Sequence, residues 1–197
     1  MRRTNFGFNA LLVAFCVSLF LSWALPQDVS KYAGQESRDI KSLSAEDIEE
    51  LKNGKGWGLA KAAELNGYPG PSHLLEMKDK IGLTAAQQTE IKNLFEEMRS
   101  AAIPLGVELI ELEKELDELY TKKLVNAKNL EEKLLKIGEV RSRLRFVHLS
   151  AHLKTPSILT AEQINKYNEL RGYGSGDPCK NIPEGHDPEM WKKHNGC

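Results

Sequence analysis

Residues 83–87 read Leu-Thr-Ala-Ala-Gln, residues 159–163 read Leu-Thr-Ala-Glu-Gln, and each tract precedes a segment with helical periodicity. A threonine at the N-cap accepts a hydrogen bond from the third helical amide, and a glutamine at that third position bonds back to the N-cap amide. Each tract therefore predicts a capping box at the start of a helix. The boxes consist of Leu83, Thr84 and Gln87 and of Leu159, Thr160 and Gln163.

The residues before the first box are predicted to form two short helices joined by a connector. Leu-Ser-Ala-Glu-Asp at 43–47 is a weaker form of the same start and predicts a short helix over 44–52. Residues 54–71 are rich in glycine and proline, which is typical of a connector. A second short helix is expected over 72–80, ending at Gly82.

The longest element follows Thr84 and is expected to run to about Lys123. Its apolar residues alternate spacings of four and three, which places them in one seam along a helix. Pro104 interrupts this run and removes one backbone hydrogen bond, so we expect a bend there rather than an end. The seam comprises Ile91, Phe95, Met98, Ala102, Leu105, Leu109, Leu112, Leu116 and Leu119.

A second long helix is predicted over about 130–154, after a turn at 126–129. The short connection indicates an antiparallel hairpin, in which acidic residues crowd the first arm and basic residues populate the second. A last helix is expected from Thr160 to about Arg171, and no segment has the pattern of a strand. The predicted fold class is all-α. Its second arm carries Leu134, Ile137, Val140, Leu144, Val147 and Ala151 on one side.

A homodimer is expected because two helices shield each other only along a seam. The alternative is an extended monomeric hairpin with the short helices folded back along it.

The N-terminus predicts export. Arg2 and Arg3 precede an apolar run over 10–20, and small residues around Ala24 suit a cut, which is the pattern of a secretory signal peptide. A membrane anchor is the alternative, although the run is shorter than the roughly 20 residues of a spanning helix. The expected organisation is a signal peptide (1–24), a flexible leader (25–43), a helical domain (44–173) and a Gly/Pro-rich tail (174–197).

Two cysteines, Cys179 and Cys197, remain after the signal peptide. In an oxidising compartment a disulfide is the default, and the chain-entropy model gives it about 3 kcal/mol of stabilisation. The alternative is a metal site made with His186 and His194, although the short paired spacings of structural zinc sites are missing.

Composition and motifs exclude several function classes. With 27 Lys and Arg against 28 Asp and Glu, the net charge of −1 favours neither nucleic acid nor an anionic membrane surface. The sequence has no phosphate-binding glycine loop, no nucleophile and base in a motif context, and no His-Glu-x-x-His. We therefore expect no enzymatic activity and no required cofactor.

The two boxes around a long hairpin resemble the Spy/CpxP family of periplasmic chaperones and stress sensors, over residues 44–173. The chain also resembles the heavy-metal sensor branch at 64–71, Glu-Leu-Asn-Gly-Tyr-Pro-Gly-Pro, and at 145–153, Arg-Phe-Val-His-Leu-Ser-Ala-His-Leu. The resemblance implies a periplasmic, cradle-shaped homodimer of bent hairpins that binds unfolded polypeptide without chemistry. The resemblance is also compatible with a sensor that acts on a membrane sensor kinase or an anti-sigma factor. The sequence departs from the family in two ways. One arm of the hairpin is more acidic than the strongly basic cradles of the best-known chaperones, and the His-rich segment of dedicated metal sensors is missing near the start of the domain.

His148 and His152 stand four residues apart on one predicted helix, so both imidazoles can bind one zinc, nickel or cobalt ion. Further ligands are needed, and the resemblance suggests carboxylates or histidines from a neighbouring helix. The candidates are Glu90, Glu96 and Glu97, because an antiparallel hairpin brings that end of the first arm close. The alternative is that the two histidines make an ordinary polar contact. His73 is expected to be structural.

Overall fold

The computed structural model describes residues 29–173, 179, 182 and 187–197 of the chain. The chain divides into two units, Met1–Gly34 and Gln35–Cys197. The described residues of the first unit, 29–34, form a turn. The predicted signal peptide at 1–24 lies outside the described residues, so its prediction stands as made.

The second unit is built from helices, which confirms the all-α class. None of the described residues is in a β-strand. None of the helices in the described ranges combines the length and apolar composition needed to cross a membrane. The helices are α1 (Ala45–Lys52), α2 (Lys61–Glu64), α3 (Pro71–Glu76), α4 (Lys78–Ile81), α5 (Ala85–Thr121), α6 (Ala127–Lys154), α7 (Ala161–Leu170) and α8 (Pro188–Asn195), and a 3-10 turn at Thr155–Ser157 follows α6.

Both predicted capping boxes are present. The Thr84 side chain accepts from the Gln87 amide at 3.2 Å, and the Gln87 side chain accepts from the Thr84 amide at 3.0 Å. Thr160 and Gln163 repeat these bonds at the start of α7, with the same two distances. Each box satisfies two amides that a helix start otherwise leaves without partners.

Two predicted boundaries are wrong. The helix expected over 72–80 is two helices, α3 and α4, because the chain leaves helical geometry at Met77. The second arm begins at Ala127 rather than near 130, because Asn126 caps it with a box of its own and the turn therefore lies earlier. Gly82 ends α4 in the left-handed region with φ 72°, as its position predicted.

α5 continues through Pro104 without interruption, and the bend expected there stays a prediction. Ion pairs join α5 to α6 in antiparallel order. Lys133 pairs with Glu115 near the connection, and Lys154 Nζ lies 3.8 Å from Glu97 Oε2 towards the other end.

The short N-terminal helices fold back onto this pair of helices. α1 crosses α5 at Gly106, where a Cβ would lie 2.3 Å from the Leu51 carbonyl oxygen. This close approach is possible only at a glycine. The middle of the α5 seam is thereby buried within the chain. It belongs to a core of Ile40, Leu43, Leu51, Leu59, Ala102, Leu105, Leu109, Ile110, Ile137, Val140 and Leu144.

A second core brings α3, α4 and α7 against the start of α5. It is formed by Leu74, Ile81, Leu83, Ile91 and Tyr167. Tyr167 is fully buried in it, and the tyrosine hydroxyl points to the polar cluster described next.

Candidate functional site

The connector between α1 and α3 lies against the C-terminal end of α6. Its single helical turn, α2, ends at Glu64, and Gly67 with φ 81° turns the chain towards Pro69. Two side chains at the end of α6 bind the connector backbone. Thr155 Oγ1 donates to the Pro69 carbonyl at 2.7 Å, and His152 Nδ1 lies 2.9 Å from the Tyr68 carbonyl. These bonds fix the position of Glu64.

Glu64 is a buried carboxylate, with 8% of its surface exposed. Its Oε1 accepts hydrogen bonds from the Tyr167 hydroxyl, from Arg171 Nε at 3.2 Å and from the Tyr173 hydroxyl at 3.2 Å. Burial raises the pKa of the Tyr167 hydroxyl above its usual range, and the bond to the Glu64 carboxylate raises it further. One carboxylate oxygen is thus held by three donors from α7 and the residues after it.

The other carboxylate oxygen, Glu64 Oε2, is buried and has no hydrogen-bond partner. A second such atom is Nε2 of His148, a residue of α6 that is only 2% exposed. Burial, helped by the nearby His152, lowers the pKa of His148 to about 4. At neutral pH His148 is therefore an uncharged imidazole with an unused nitrogen. Buried polar atoms are nearly always bonded, so each exception needs a reason.

His152 is 7% exposed and follows His148 by one helical turn. Its Nδ1 faces the Tyr68 carbonyl, which can only accept, so Nδ1 carries a proton. The same Nδ1 lies 3.7 Å from Glu64 Oε2. A Cβ at Gly70 would lie 3.2 Å from His152 Nε2 and 3.3 Å from Glu64 Oε2. The nearest atom to that Cβ would be His152 Cε1, at 2.9 Å, so the His152 ring packs too closely on Gly70 to admit a side chain there.

These side chains line one cavity of about 760 Å³. Phe95 and Met98 of α5 and Trp57 of the connector supply its apolar wall. His73 and Glu76 also border the cavity, but His73 Nδ1 bonds to Glu76 Oε2 at 3.0 Å, and this bond lowers the pKa of the glutamate.

The structure places the predicted site residues as follows. His148 and His152 lie together in the cavity wall, whereas Glu90, Glu96 and Glu97 are exposed and do not border the cavity. The carboxylate beside the histidines is Glu64, which the sequence reasoning did not consider. A signal was available, since Glu64 is the one acidic residue in the connector of residues 54–71.

Within the described part of the chain, no group of three or more His, Cys, Asp or Glu side chains is arranged to hold a metal ion as the structure stands. In the tail, Cys179 and Cys197 are joined by a disulfide. Their sulfurs are bonded to each other and are not free as thiolates. His194 is exposed on α8, and His186 lies outside the described residues.

The two capping boxes also contact each other. The side-chain amides of Gln87 and Gln163 are bonded together, and they reach the Ile158 and Gly82 carbonyls at 2.8 and 3.1 Å. The repeated motif therefore joins the start of α5 to the start of α7.

Comparison with known proteins identified no relative of this chain. No protein-family model matches the chain, and searches of curated proteins and of solved structures found no significant match.

Proposed function

We propose that the protein is a periplasmic, chaperone-like stress-response protein that binds non-native polypeptide without ATP. The observation that carries the proposal is an exposed apolar stripe on α6, formed by Leu135, Phe146 and Leu153. These side chains are 69%, 71% and 68% exposed. An exposed apolar patch on a soluble domain is typical of an interaction surface.

The three residues share one side of α6. Phe146 lies about three helical turns beyond Leu135, and Leu153 lies about two turns beyond Phe146. Ile137, Val140 and Leu144 occupy the opposite side, where they are buried in the core. The core therefore leaves the stripe uncovered, and the exposed polar residues Glu139 and Ser142 lie on the same side of α6 between Leu135 and Phe146.

The surroundings of the stripe suit an extended, unfolded segment. Phe146 and Pro104 border a groove of about 650 Å³ between α5 and α6. Arg143 and Arg145 are exposed on either side of Phe146. Apolar contacts together with guanidinium groups favour client segments that mix apolar and acidic residues. The resemblance of the capping motifs and hairpin to Spy/CpxP supports the same function.

The test is suppression of client aggregation. The purified protein, in several-fold molar excess and without nucleotide, should slow the aggregation of several chemically different unfolded clients. The variant Leu135→Ser/Phe146→Ser/Leu153→Ser should lose most of this protection. The matched control is Tyr120→Ser/Leu124→Ser, which removes exposed apolar side chains near the α5–α6 connection and should retain protection. Absence of protection by the wild type with every client would refute the proposal.

A second candidate function is metal sensing, in which zinc, nickel or cobalt changes how the protein acts on a membrane signalling partner such as a sensor kinase or an anti-sigma factor. The observation that favours it is the buried pair His148 and His152, whose cavity also holds the unpaired oxygen of Glu64. Metal sensing requires a metal site. If the purified protein binds no metal, this candidate is excluded, and the chaperone proposal is unaffected.

A further inference from the structure

We propose that the cavity between the connector, α3, α5 and α6 binds a small organic ammonium ion, with its charged nitrogen on Glu64 and its apolar body against α5. The proposal rests on neither the apolar stripe nor a metal ion. Cavities of about 300–1,000 Å³ with apolar walls and a few polar groups are typical of small-molecule sites. This cavity, of about 760 Å³, is lined by residues from all four parts of the chain.

Glu64 supplies the acceptor for the ammonium group. Its Oε1 accepts from Tyr167, Arg171 and Tyr173, whereas its Oε2 is buried with no hydrogen-bond partner among the described residues. The Arg171 guanidinium favours the ionised form of the carboxyl group. A carboxylate oxygen can only accept, so Oε2 needs a donor. An ammonium group supplies both the proton and the opposite charge, and such charge-assisted bonds are stronger than neutral ones.

The neighbouring imidazole does not fill this role. The His152 ring lies 3.7 Å from Glu64 Oε2, but its Nδ1 donates to the Tyr68 carbonyl at 2.9 Å. Leaving a buried polar atom unpaired costs free energy, which a bound ligand recovers when it donates to that atom. Oε2 is therefore the atom of the cavity wall that gains most from a cationic ligand.

His148 supplies a second polar contact. Its Nε2 is also buried with no partner among the described residues, and its side chain lines the same cavity as Glu64. Burial lowers the pKa of this imidazole to about 4, so at neutral pH the ring carries no charge that would repel a cation. A neutral ring nitrogen accepts or donates according to the tautomer, and it can bond to a polar group of the ligand in either form.

The apolar wall is formed by Trp57, Phe95 and Met98. Trp57 is held in place by two contacts, since its Nε1 donates to Asp47 Oδ1 at 2.8 Å and its ring centre lies 4.9 Å from the Arg141 guanidinium carbon. A side chain that is fixed before binding loses little conformational entropy when a ligand packs on it. The wall therefore favours an aromatic or aliphatic body next to the ammonium group.

The test is calorimetric titration of the purified protein with tryptamine, in the presence of a chelator that excludes metal-mediated binding. The matched ligand is tryptophol, in which a hydroxyl group replaces the ammonium group. We expect one tryptamine per chain and at least about tenfold weaker binding of tryptophol, because a bond between opposite charges is lost. Absence of tryptamine binding, or equal affinity for the two compounds, would overturn the proposal.

The variant Glu64→Gln tests the acceptor. Glutamine can keep its oxygen on the three donors that bind Oε1, which places an NH₂ group where Oε2 stands. Tryptamine should then bind at least about tenfold more weakly. The matched control is Glu76→Gln, which removes a carboxylate from the same cavity wall whose oxygens bond to neighbouring side chains of α3, and it should bind as the wild type does. Unchanged affinity in Glu64→Gln, or an equal loss in both variants, would overturn the proposal.

A measurement on the unaltered protein covers a Glu64 variant that fails to fold. The methionine methyl groups are labelled with ¹³C, and their NMR signals are recorded as tryptamine is added. Met98 lines the cavity, whereas Met77 and Met190 do not. The Met98 signal should shift and the other two should stay. A shift confined to Met77 or Met190 would overturn the proposal.

A third ligand, L-tryptophan, identifies the source of the ammonium group. It adds a carboxylate to tryptamine, and Lys55 and Arg99 in the cavity wall are groups that a carboxylate can pair with. Tighter binding of L-tryptophan than of tryptamine would support an amino acid as the ligand, and weaker binding would support a free amine.

Discussion

The side chains of Gln87 and Gln163 hydrogen-bond to each other in both directions, Nε2 of each donating to Oε1 of the other at 2.8 and 3.0 Å. The same two oxygens accept the N-cap amides of Thr84 and Thr160. A glutamate at the third position would complete either capping box equally well. Only an amide can also donate across to the other box, which gives a physical reason for glutamine in both copies.

The contributions of Gln87 and Gln163 to the stability of the protein should therefore be coupled. Each of Gln87→Ala and Gln163→Ala is expected to destabilise the protein, and a double-mutant cycle should give a coupling energy of about 1 kcal/mol. Urea denaturation of the four proteins measures this. Additive effects would mean that the boxes act only as separate helix caps.

Gly106→Ala should destabilise the protein, although alanine normally favours a helix by up to about 1 kcal/mol over glycine. The added methyl group would lie 2.3 Å from the Leu51 carbonyl oxygen and would displace α1 from α5. Gly138→Ala is the matched control, because it lies in α6 with no atom within 4 Å of its new methyl group. Thermal unfolding should move in opposite directions for the two variants. A stabilising Gly106→Ala would contradict the packing of α1.

Metal-free protein should lose stability between pH 6.5 and pH 4. The unfolded chain protonates His148 near pH 6.5, whereas the folded chain keeps it neutral down to about pH 4. The unfolded state therefore binds more protons in this window, and stability falls as pH falls, by up to about 3 kcal/mol from this group. Denaturation of the wild type and His148→Gln in the presence of a chelator compares the two slopes, and equal slopes would contradict the assignment. The other titratable groups that line the cavity are common to both proteins: Glu50, Lys55, Lys61, Glu64, His73, Glu76, Arg99, His152 and Arg171.

The homodimer remains a prediction. Leu109 is only 1% exposed within the chain, so the α5 seam, which first suggested a partner, is already covered, and a lysine there would unfold the monomer. Light scattering at micromolar concentration should give the mass of a dimer for the wild type, and a monomer mass would contradict it. A monomeric Leu135→Ser/Phe146→Ser/Leu153→Ser variant would assign the stripe to the subunit interface instead of to clients.

Local patterns predicted the helices well because capping and periodicity are properties of neighbouring residues. The boxes at Thr84 and Thr160 and the apolar spacing of α5 required no tertiary information. The split at Met77 was not predictable in this way, since α3 and α4 together read as one helical segment.

The site depended on contacts between distant residues. The spacing of His148 and His152 predicted that they share one face of a helix. Which carboxylate lies beside them depends on how the connector of residues 54–71 folds. Glu64 is 84 residues before His148, and its burial follows from the turn at Gly67 and from the bonds of Thr155 and His152 to the connector backbone. The pairing of Gln87 with Gln163 was missed for the same reason.

Site-specific photo-crosslinking tests the central claim most directly. A photoreactive phenylalanine analogue is placed at position 146 in one protein and at position 124 in another, and each is irradiated with an unfolded client in the absence of nucleotide. Both positions are exposed, but only position 146 belongs to the stripe. We predict covalent adducts with unfolded client from position 146, few from position 124, and none with the same client when it is folded. Equal labelling from both positions, or no adduct from position 146, would contradict the proposed client-binding surface.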